Sequence, residues 1–557
     1  RLMKTSIPSM KLGLASAIAI AALGMTGCGG DDSNDSADLD ANQAVGVVAS
    51  SLLNTAIDTK DADHETVIPA GAILLDADNL AESAAEAFAN IKDGDVIVFP
   101  AGYYHLPAQL KITGDVFGNS EDGRLHNITI MGSGVNETVL NFSALEKGSK
   151  GETKGVDGLL ISDVDNLVIS DITVVEAGKN AIKVENIDGL HMHHLATIWD
   201  GTLTKENGAY GIYPVNSKNI LIENTFTRGS ADAGVYVGQS QKVIVRNSIA
   251  KENVAGMEIE NCEDAEFYGN LATGNTAGLL VFDLPIGNGK YGSNVRVYNN
   301  EMIANNEPNF AVVSDFAGGV HIAPHGTGMI ILSTSDVEIF DNTITDHSSF
   351  AVAIADYAFA ESPENLAVMP DSLVDAGLAP QTKYLSVYED GYSPTVRNIT
   401  VRDNDINNAG YAPDAEKLGD FLYLFDNFVP DTSEGTLPAM IFDGAGQTLT
   451  ETGIEIPGVG TFPLAPYNVA YTTDDYICAY DNTDSTGATV EMGTPYNPFA
   501  IQGWNDGDLT PSPAASDAGF TCGQSRPSLA KTVVTIGDAT YGCGTDDTTS
   551  PGCTAPE

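Results

Sequence analysis

Short runs in which apolar and polar residues alternate recur along the middle of the chain. The runs open at Ala181, Gly211, Gly234, Gly256 and Gly278. One and three positions after each opening residue, the side chains are nearly all apolar. Successive side chains of a strand point in opposite directions, so this period of two predicts short strands with one buried side.

The predicted strands recur at a regular interval. The last four opening residues are 23, 22 and 22 residues apart. A turn position aligned on Asn224 recurs at spacings of 23, 30, 23, 23, 30, 42 and 62 residues, as if extra residues were added in some turns. Its occupants are Asp171, His194, Asn224, Asn247, Asn270, Asn300, Asn342 and Asn404. Stacked Asn side chains can bond the same side chain in the next coil, so this column predicts a ladder.

A period of roughly 23 residues with several strands per unit predicts a right-handed parallel β-helix. One coil cannot bury its apolar side alone, but stacked coils bury a continuous core. A leucine-rich repeat has a similar period, yet its Leu-x-x-Leu-x-Leu pattern is absent. The expected fold class is therefore all-β, with the β-helix over 66–410 and a C-terminal cap or small disulfide-stapled domain over 411–557.

The predicted array has a recognisable start and several interruptions. Apolar positions at helical spacing between Leu80 and Ile91 predict a short helix that covers the open N-terminal end of the core. Long insertions fall at about 195–210, 283–293, 305–327 and 356–396, next to the same strands. We expect these insertions to wall a groove along the helix axis.

The outward positions of these strands carry an unusual set of side chains. They are Lys183, Glu185, Tyr213, Val215, Tyr236, Gly238, Glu258, Glu260, Leu280 and Phe282. Aromatic and apolar residues on an outward face indicate a surface that is covered or binds something. We predict that Lys183, Tyr213, Tyr236, Glu258 and Phe282 bind an extended carbohydrate. The alternatives are that the insertions pack on this face as a second core, or that another protein does.

The acidic residues of this face are candidates for chemistry. Glu258 and Glu260 lie on one side of a strand, about 6–7 Å apart by strand rise. With Asp283 at the next strand end, they are candidates for the acid and base of glycoside hydrolysis. With Asp232, they offer oxygen ligands for Ca²⁺. Two solvated carboxylates are the simpler explanation, so the pattern leaves open whether the chain is an enzyme.

Three histidines stand close together at His191, His193 and His194. Alternation places His191 and His193 on one side of a strand, which is an arrangement that a metal site can use. A histidine that merely stacks in a turn is the alternative.

The N-terminal segment has the pattern of an export signal. Lys4 and Lys11 precede an apolar run over 12–23 that is too short to span a membrane comfortably. The run ends at Met25-Thr26-Gly27-Cys28, which resembles a bacterial lipoprotein signal. The resemblance implies a signal peptide over 1–27, lipid attachment at Cys28 and, because Gly29 follows, an outer-membrane location facing either side. Residues 28–65 are predicted to be a flexible tether.

Charge narrows the range of partners. The 557 residues include 26 Lys and Arg against 76 Asp and Glu, for a net charge of −50. No basic cluster offsets this charge, so nucleic acid is excluded as a partner. A polysaccharide lyase needs a basic residue near the uronate, and only Lys183 lies in the outward column.

The cysteines suit an exported protein. Apart from Cys28, the chain has Cys262, Cys478, Cys522, Cys543 and Cys553. We predict pairs between Cys478 and Cys522 and between Cys543 and Cys553, with Cys262 a buried free thiol, although four cysteines allow three connectivities.

Four stretches of the array resemble a family of bacterial exported proteins, often lipoproteins, with tandem parallel β-helix repeats. They are residues 210–217, 229–240, 253–261 and 278–285. The resemblance covers roughly 65–430 and implies the fold and export. That family has no assigned reaction, so the resemblance implies no catalytic residue.

The same stretches distantly resemble the β-helices of mannuronan C5-epimerases and polysaccharide lyases. The epimerases carry an Asp-Pro-His-Asp/Glu motif, where this chain has Tyr213-Pro214-Val215-Asn216. The missing acid and histidine argue against epimerase chemistry at this position. The leading expectation is an envelope protein that binds carbohydrate or acts as a scaffold, and the alternatives are a polysaccharide lyase or hydrolase and a scaffold for a protein partner.

Overall fold

A computed structural model describes most of the predicted array. It covers residues 64–114, 122–145, 155–313, 318–361, 363–378, 381–414, 417, 437–443, 454–456, 460–462, 475–493 and 526–542. Cys28, Cys522, Cys543 and Cys553 lie outside the described residues, so lipid attachment and disulfide pairing stay predictions. Cys262 is a buried free thiol, as expected, and Cys478 is disulfide-bonded.

The chain forms a right-handed parallel β-helix whose coils each contribute strands to three faces. The strands Leu159–Val175 and Ile182–Ile198 run through all three faces, and the two pair in parallel along their length. Inward side chains of every coil join one continuous apolar core, which includes Ile212, Val235 and Leu279. The fold is therefore the predicted one.

The first face carries the predicted outward column. Besides the two long strands, it contains Leu110–Thr113, Tyr210–Val215, Ala233–Gly238, Ala255–Glu260, Ala277–Phe282, Thr327–Leu332, Phe350–Ala355, Met440–Phe442 and Met492–Gly493.

The second face follows the first within each coil. Its further strands are Ile73–Leu74, Val96–Val98, Leu125–Met131, Lys218–Glu223, Gln241–Arg246, Glu263–Tyr268, Ser293–Tyr298, Val337–Phe340, Ile399–Arg402 and Ile477–Tyr480.

The third face closes the coil. Its further strands are Gly102–His105, Thr138–Asn141, Phe226–Arg228, Ile249–Lys251, Leu271–Thr273, Glu301–Ile303, Thr343–His347 and Asp405–Ala409. In the described part of the chain, two antiparallel hairpins lie outside the coils, Ile454–Ile456 with Gly460–Phe462 and Val533–Ile536 with Ala539–Gly542.

Helices are few and short. Leu80–Ala89 is the predicted cap, and its buried Leu80, Ala84 and Phe88 join the core. The other helical segments are the α-helices Pro363–Leu366, Asp371–Asp375 and Leu385–Glu389 and the 3₁₀ turns Ala77–Asn79, Val320–Ile322 and Tyr357–Phe359. Across the described ranges, none of the helices has the length and apolar character needed to cross a membrane.

The predicted asparagine ladder exists, but in its N-terminal coils the ladder residues lie one position after the residues that the sequence alignment chose. The ladder runs through Thr225, Ser248, Asn270, Asn300, Asn342, Asn404 and Asn482, each bonded to the next. Asn224 and Asn247 lie one residue earlier, in a left-handed turn position with φ of 51° and 50°. The coil between Ser248 and Asn270 has 22 residues, so alignment on a 23-residue spacing slipped there.

The array also extends beyond the predicted end at residue 410. The strands Met440–Phe442, Ile477–Tyr480 and Met492–Gly493 pair in parallel with the preceding coils. Long stretches of chain separate these strands, and they hide the period from a count along the sequence.

A C-terminal strap, residues 526–542, lies along the second face. Its Val534 and Ile536 pack on Leu221 and Ile244. The backbone N–H of Thr532 donates to the buried Glu266 carboxylate at 2.8 Å. The sequence pattern did not predict that the strap packs on the second face, because residues 526–542 lack the repeat that identifies the coils.

Candidate functional site

The outward column of the first face continues through more coils than the sequence indicated. We call it the outer column, and from the N-terminal coil onward it consists of Lys111, Leu160, Lys183, Tyr213, Tyr236, Glu258, Leu280, Ile330, Ala353 and Ile441. Neighbouring coils bring these side chains to about 4.8 Å spacing, because that is the distance between paired strands.

Most of the outer column is covered by the insertions. Tyr236 and Leu280 of the column, and Phe282 two residues beyond Leu280, are only 3%, 6% and 7% exposed, and they belong to a second apolar cluster that includes Val320 and Tyr357 from the insertions. A small apolar cavity remains between Leu280, Phe282 and the segment 318–323. The predicted groove along the whole column is therefore closed from Tyr236 to Ala353, and the alternative of a second core describes this part.

Gly238 makes room for this packing. A Cβ at Gly238 would overlap the hydroxyl and ring of Tyr236. The Tyr236 hydroxyl instead accepts a hydrogen bond from Gln239 at 3.1 Å, and the same amide donates to Glu260 at 2.8 Å. Burial, above all, and then the nearby Glu260 raise the pKa of Tyr236 well above its usual value. The predicted ligand-binding tyrosine is thus a neutral, buried, hydrogen-bonded core residue.

The three predicted catalytic carboxylates also lie beneath the insertions. Glu258, Glu260 and Asp283 are 1%, 7% and 4% exposed. Both oxygens of Asp283 accept the backbone N–H of Gly292 at 2.8 Å. Burial raises the pKa of Asp283 to about 7, even though that N–H stabilises the charged form. The raised pKa of Asp283 suits acid–base chemistry, but the insertions cover all three carboxylates and leave a polymer no path to them.

The predicted calcium ligands do not converge. Asp232 is fully buried, and with Glu258 it lies beside Tyr210, whose pKa is raised first by burial and then by these carboxylates. Within the described ranges, groups of three ligand side chains occur at His64, His193 and His194 and at Asp122, His126 and Asp165. Asp232, Glu258 and Glu260 form no such group, so the structure does not bring them together as a Ca²⁺ site.

The N-terminal end of the outer column remains accessible. We call it the open end, and it consists of Lys111, Leu160, Lys183 and Tyr213, of which Lys111 is exposed and the others are half-buried. The ammonium of Lys183 lies 5.5 Å from the centroid of the Tyr213 ring and 3.1 Å from the Glu185 carboxylate. Two predicted binding residues, Lys183 and Tyr213, therefore keep the accessibility that a binding surface needs.

Tyr213 is held by a cluster of aromatic rings. Its ring stacks on Tyr210 at 4.4 Å between centroids and meets the edge of Tyr236 at 4.8 Å. Such contacts restrict the ring, so Tyr213 loses little side-chain entropy on binding. The buried rings of Tyr210 and Tyr236 thus hold Tyr213, the aromatic side chain of the open end, in place.

A carboxyl group that the sequence reasoning missed lies beside the open end. Asp157 accepts hydrogen bonds from the backbone and side chain of Asn180, the latter at 2.7 Å. Burial raises the pKa of Asp157, although Lys179 and Lys183 oppose this shift. Asp157, Lys111 and Leu160 escaped notice because the alternation was counted only from residue 181. The preceding strand at 159–162 has the same pattern and would have revealed Leu160.

The fold agrees with comparison to known families. The sequence profile of a family described as a right handed beta helix region matches residues 196–415. A search of curated proteins finds no match.

Several solved structures are similar in fold. The mannuronan C-5 epimerase AlgE4 A-module of Azotobacter vinelandii is 13% identical, with a TM-score of 0.36 over 77% of this chain and 96% of that one. A GH87 alpha-1,3-glucanase from Streptomyces thermodiastaticus is 13% identical, with a TM-score of 0.40 over 78% and 56%. A family 28 exopolygalacturonase of Yersinia enterocolitica is 12% identical, with a TM-score of 0.36 over 62% and 74%.

Proposed function

We propose that the chain is an exported β-helix protein that binds an extended, carboxylate-bearing carbohydrate at the open end of the outer column. The observation that carries this proposal is the alignment of Lys111, Leu160, Lys183 and Tyr213 on consecutive coils, accessible where the column from Tyr236 to Ala353 is buried. Four side chains at this spacing span about 14 Å, which suits a short run of sugar units lying along the helix axis.

Each side chain has a distinct part in the proposed complex. The half-buried ring of Tyr213 suits the apolar side of a sugar ring, and Leu160, two coils away, adds a second apolar side chain. Lys111 and Lys183 supply positive charge in a chain that is strongly negative, so an acidic sugar finds its counter-charge there. Glu185 keeps Lys183 in place through their contact at 3.1 Å.

A binding screen tests the proposal. The purified chain is titrated with polyuronates and neutral glucans, with and without Ca²⁺, while new reducing ends and unsaturated products are recorded. We expect binding of polyuronates that falls about tenfold in Tyr213→Ala, since an aromatic contact contributes about 1–1.5 kcal/mol. The matched control is Tyr411→Ala, because Tyr411 is 44% exposed and lies outside the open end.

Other outcomes separate the alternatives. Product formation that is lost in Glu258→Gln and Glu260→Gln would favour a lyase or hydrolase, and it would require the insertions to open. No binding by any polysaccharide would refute the proposal and favour a scaffold for another envelope protein.

The proposed location is the outer membrane, through lipid attached at Cys28. The sequence Met25-Thr26-Gly27-Cys28 supports it. Incorporation of labelled palmitate that disappears in Cys28→Ala is the expected result, and incorporation that persists would contradict it.

A further inference from the structure

Three imidazole groups from two distant parts of the chain meet beside the second face. His193 ends the second-face part of the strand Ile182–Ile198, and His194 follows it in the turn. His64 comes from the segment before the first strand, at the end of the predicted tether. One ligand nitrogen of each residue lies within 4.8 Å of the others.

The three rings contact one another. The Nδ1 atoms of His193 and His194 are 2.9 Å apart, and their ring planes are nearly perpendicular at 86°. The ring of His64 stacks on His194 with a centroid distance of 3.5 Å and faces the edge of His193 at 6.1 Å. Two nitrogens at 2.9 Å fit within the reach of one ion, because metal–imidazole bonds are about 2.0–2.1 Å long.

His194 is the exception in its column of turns. Its φ is 49°, and the equivalent turn residues of other coils are Asp171, Asn224, Asn247, Gly269, Asn299, Asp341, Asp403 and Asp481. All of these are residue types that suit a left-handed turn. Histidine is also accepted in a left-handed turn, so the φ of His194 does not by itself point to a ligand; the meeting of its imidazole with two others does.

The buried carboxylate of Asp171 bonds the ring of His64. The Nε2 of His64 lies 2.8 Å from Oδ1 of Asp171, whose side chain is 3% exposed, and Thr66 donates to the same oxygen at 2.8 Å. A carboxylate that accepts the Nε2 proton leaves Nδ1 of His64 as the nitrogen with a lone pair. Carboxylate–histidine pairs of this kind orient ligands in metal sites, and the negative charge adds attraction for a cation.

We propose that His64, His193 and His194 bind a divalent transition metal of the zinc class, with Asp171 orienting His64. Three imidazole nitrogens favour Zn²⁺, Co²⁺, Ni²⁺ or Cu²⁺ over Ca²⁺ and Mg²⁺, which take oxygen ligands. Water completes the coordination. The ion joins the end of the predicted tether to the coil formed by Ile182–Ile198, so it fixes where the chain leaves the folded array.

Metal binding requires one adjustment. An ion lies near the plane of each imidazole that binds it, whereas His64 and His194 are parallel within 8°. The His64 ring must therefore tilt away from the stack. His64 is exposed and belongs to a segment outside the coils, so it is the member of the three that is able to move.

Titration of the purified full chain, without a histidine tag, tests this site. The chain is treated with a chelator, and Zn²⁺ binding is followed by calorimetry. We expect one ion per chain with micromolar or tighter affinity, weakened at least 30-fold in His64→Ala. Co²⁺ should give visible d–d bands that are lost in the same variant. The His64 side chain is 26% exposed and lies outside the apolar core, so we expect the β-helix to stay folded when it is replaced.

His126→Ala is the matched control, because His126 belongs to the other ligand group, with Asp122 and Asp165. Unchanged affinity in this variant supports the proposal. Three results would overturn it: no stoichiometric binding, equal affinity in wild type and His64→Ala, or loss of the ion in His126→Ala. Hydrogen exchange of residues 64–72 gives a second measurement, since the ion should slow it in wild type and leave it unchanged in His64→Ala.

Discussion

Replacement of one ladder asparagine, Asn300→Ala, should destabilise the β-helix far more than a change of its exposed neighbour. The Asn300 carboxamide oxygen accepts hydrogen bonds from the backbone N–H and the side chain of Asn270, at 3.0 and 3.1 Å. Its amide nitrogen donates to the Phe267 carbonyl at 2.8 Å and to Asn342 at 3.0 Å. Asn300 is 1% exposed, so water cannot replace these bonds.

The magnitude follows from these four bonds. Each contributes about 1 kcal/mol net, and the partners left buried without a bond add to the loss. We expect the free energy of unfolding to fall by about 3–5 kcal/mol, measured by urea denaturation with the slope of the transition unchanged. The control is Asn299→Gly, because Asn299 is exposed and its φ of 52° suits glycine, so the change should stay within about 1 kcal/mol. Equal losses in the two variants would refute the role assigned to the ladder.

Three further outcomes follow from the packing. Gly256→Ala should lower the free energy of unfolding, measured by urea denaturation, by about 2–3 kcal/mol, because the new Cβ would lie 2.6 Å from the Gly278 carbonyl oxygen in the next coil. A decrease below about 0.5 kcal/mol would contradict this reasoning. Burial raises the pKa of Asp283 to about 7, so the protonated form stabilises the fold at low pH and this stability is lost as the pH rises through 7. Between about pH 4 and 8, the free energy of unfolding of wild type should therefore fall by about 4 kcal/mol more than that of Asp283→Asn. Parallel pH profiles of the two proteins would refute the assignment. Val534→Asp should speed hydrogen exchange of the C-terminal strap while Val533→Asp does not, because Val534 is buried and Val533 is 39% exposed.

The repeat pattern was sufficient to predict the β-helix and its cap. Inward positions such as Val235 and Met257 are buried as the alternation requires, since stacked coils leave them no other neighbour than the core. The helix Leu80–Ala89 was likewise visible from its apolar spacing. The register of the asparagine ladder was predicted less well, because a change of one residue in coil length is invisible without knowledge of which residues pair.

The outward face was the part for which the sequence left alternatives open. Alternation assigned Tyr236 and Glu258 to the outside of a strand, which is correct for the strand. Whether an outward side chain meets water depends on where the insertions fold, and no period governs an insertion. The packing of the segments near Val320 and Tyr357 therefore buried these residues, while Lys183 and Tyr213 stayed accessible.

By itself, the sequence determined the repeating coil, the inward side of each strand and the helix before the array, because these depend on local periods of two and about 23 residues. Only the tertiary structure decided which outward residues are covered, how His64 reaches His193 and His194, and where the C-terminal strap lies. These contacts join residues that are tens to hundreds of positions apart, and their energies come from packing between segments that share no repeat.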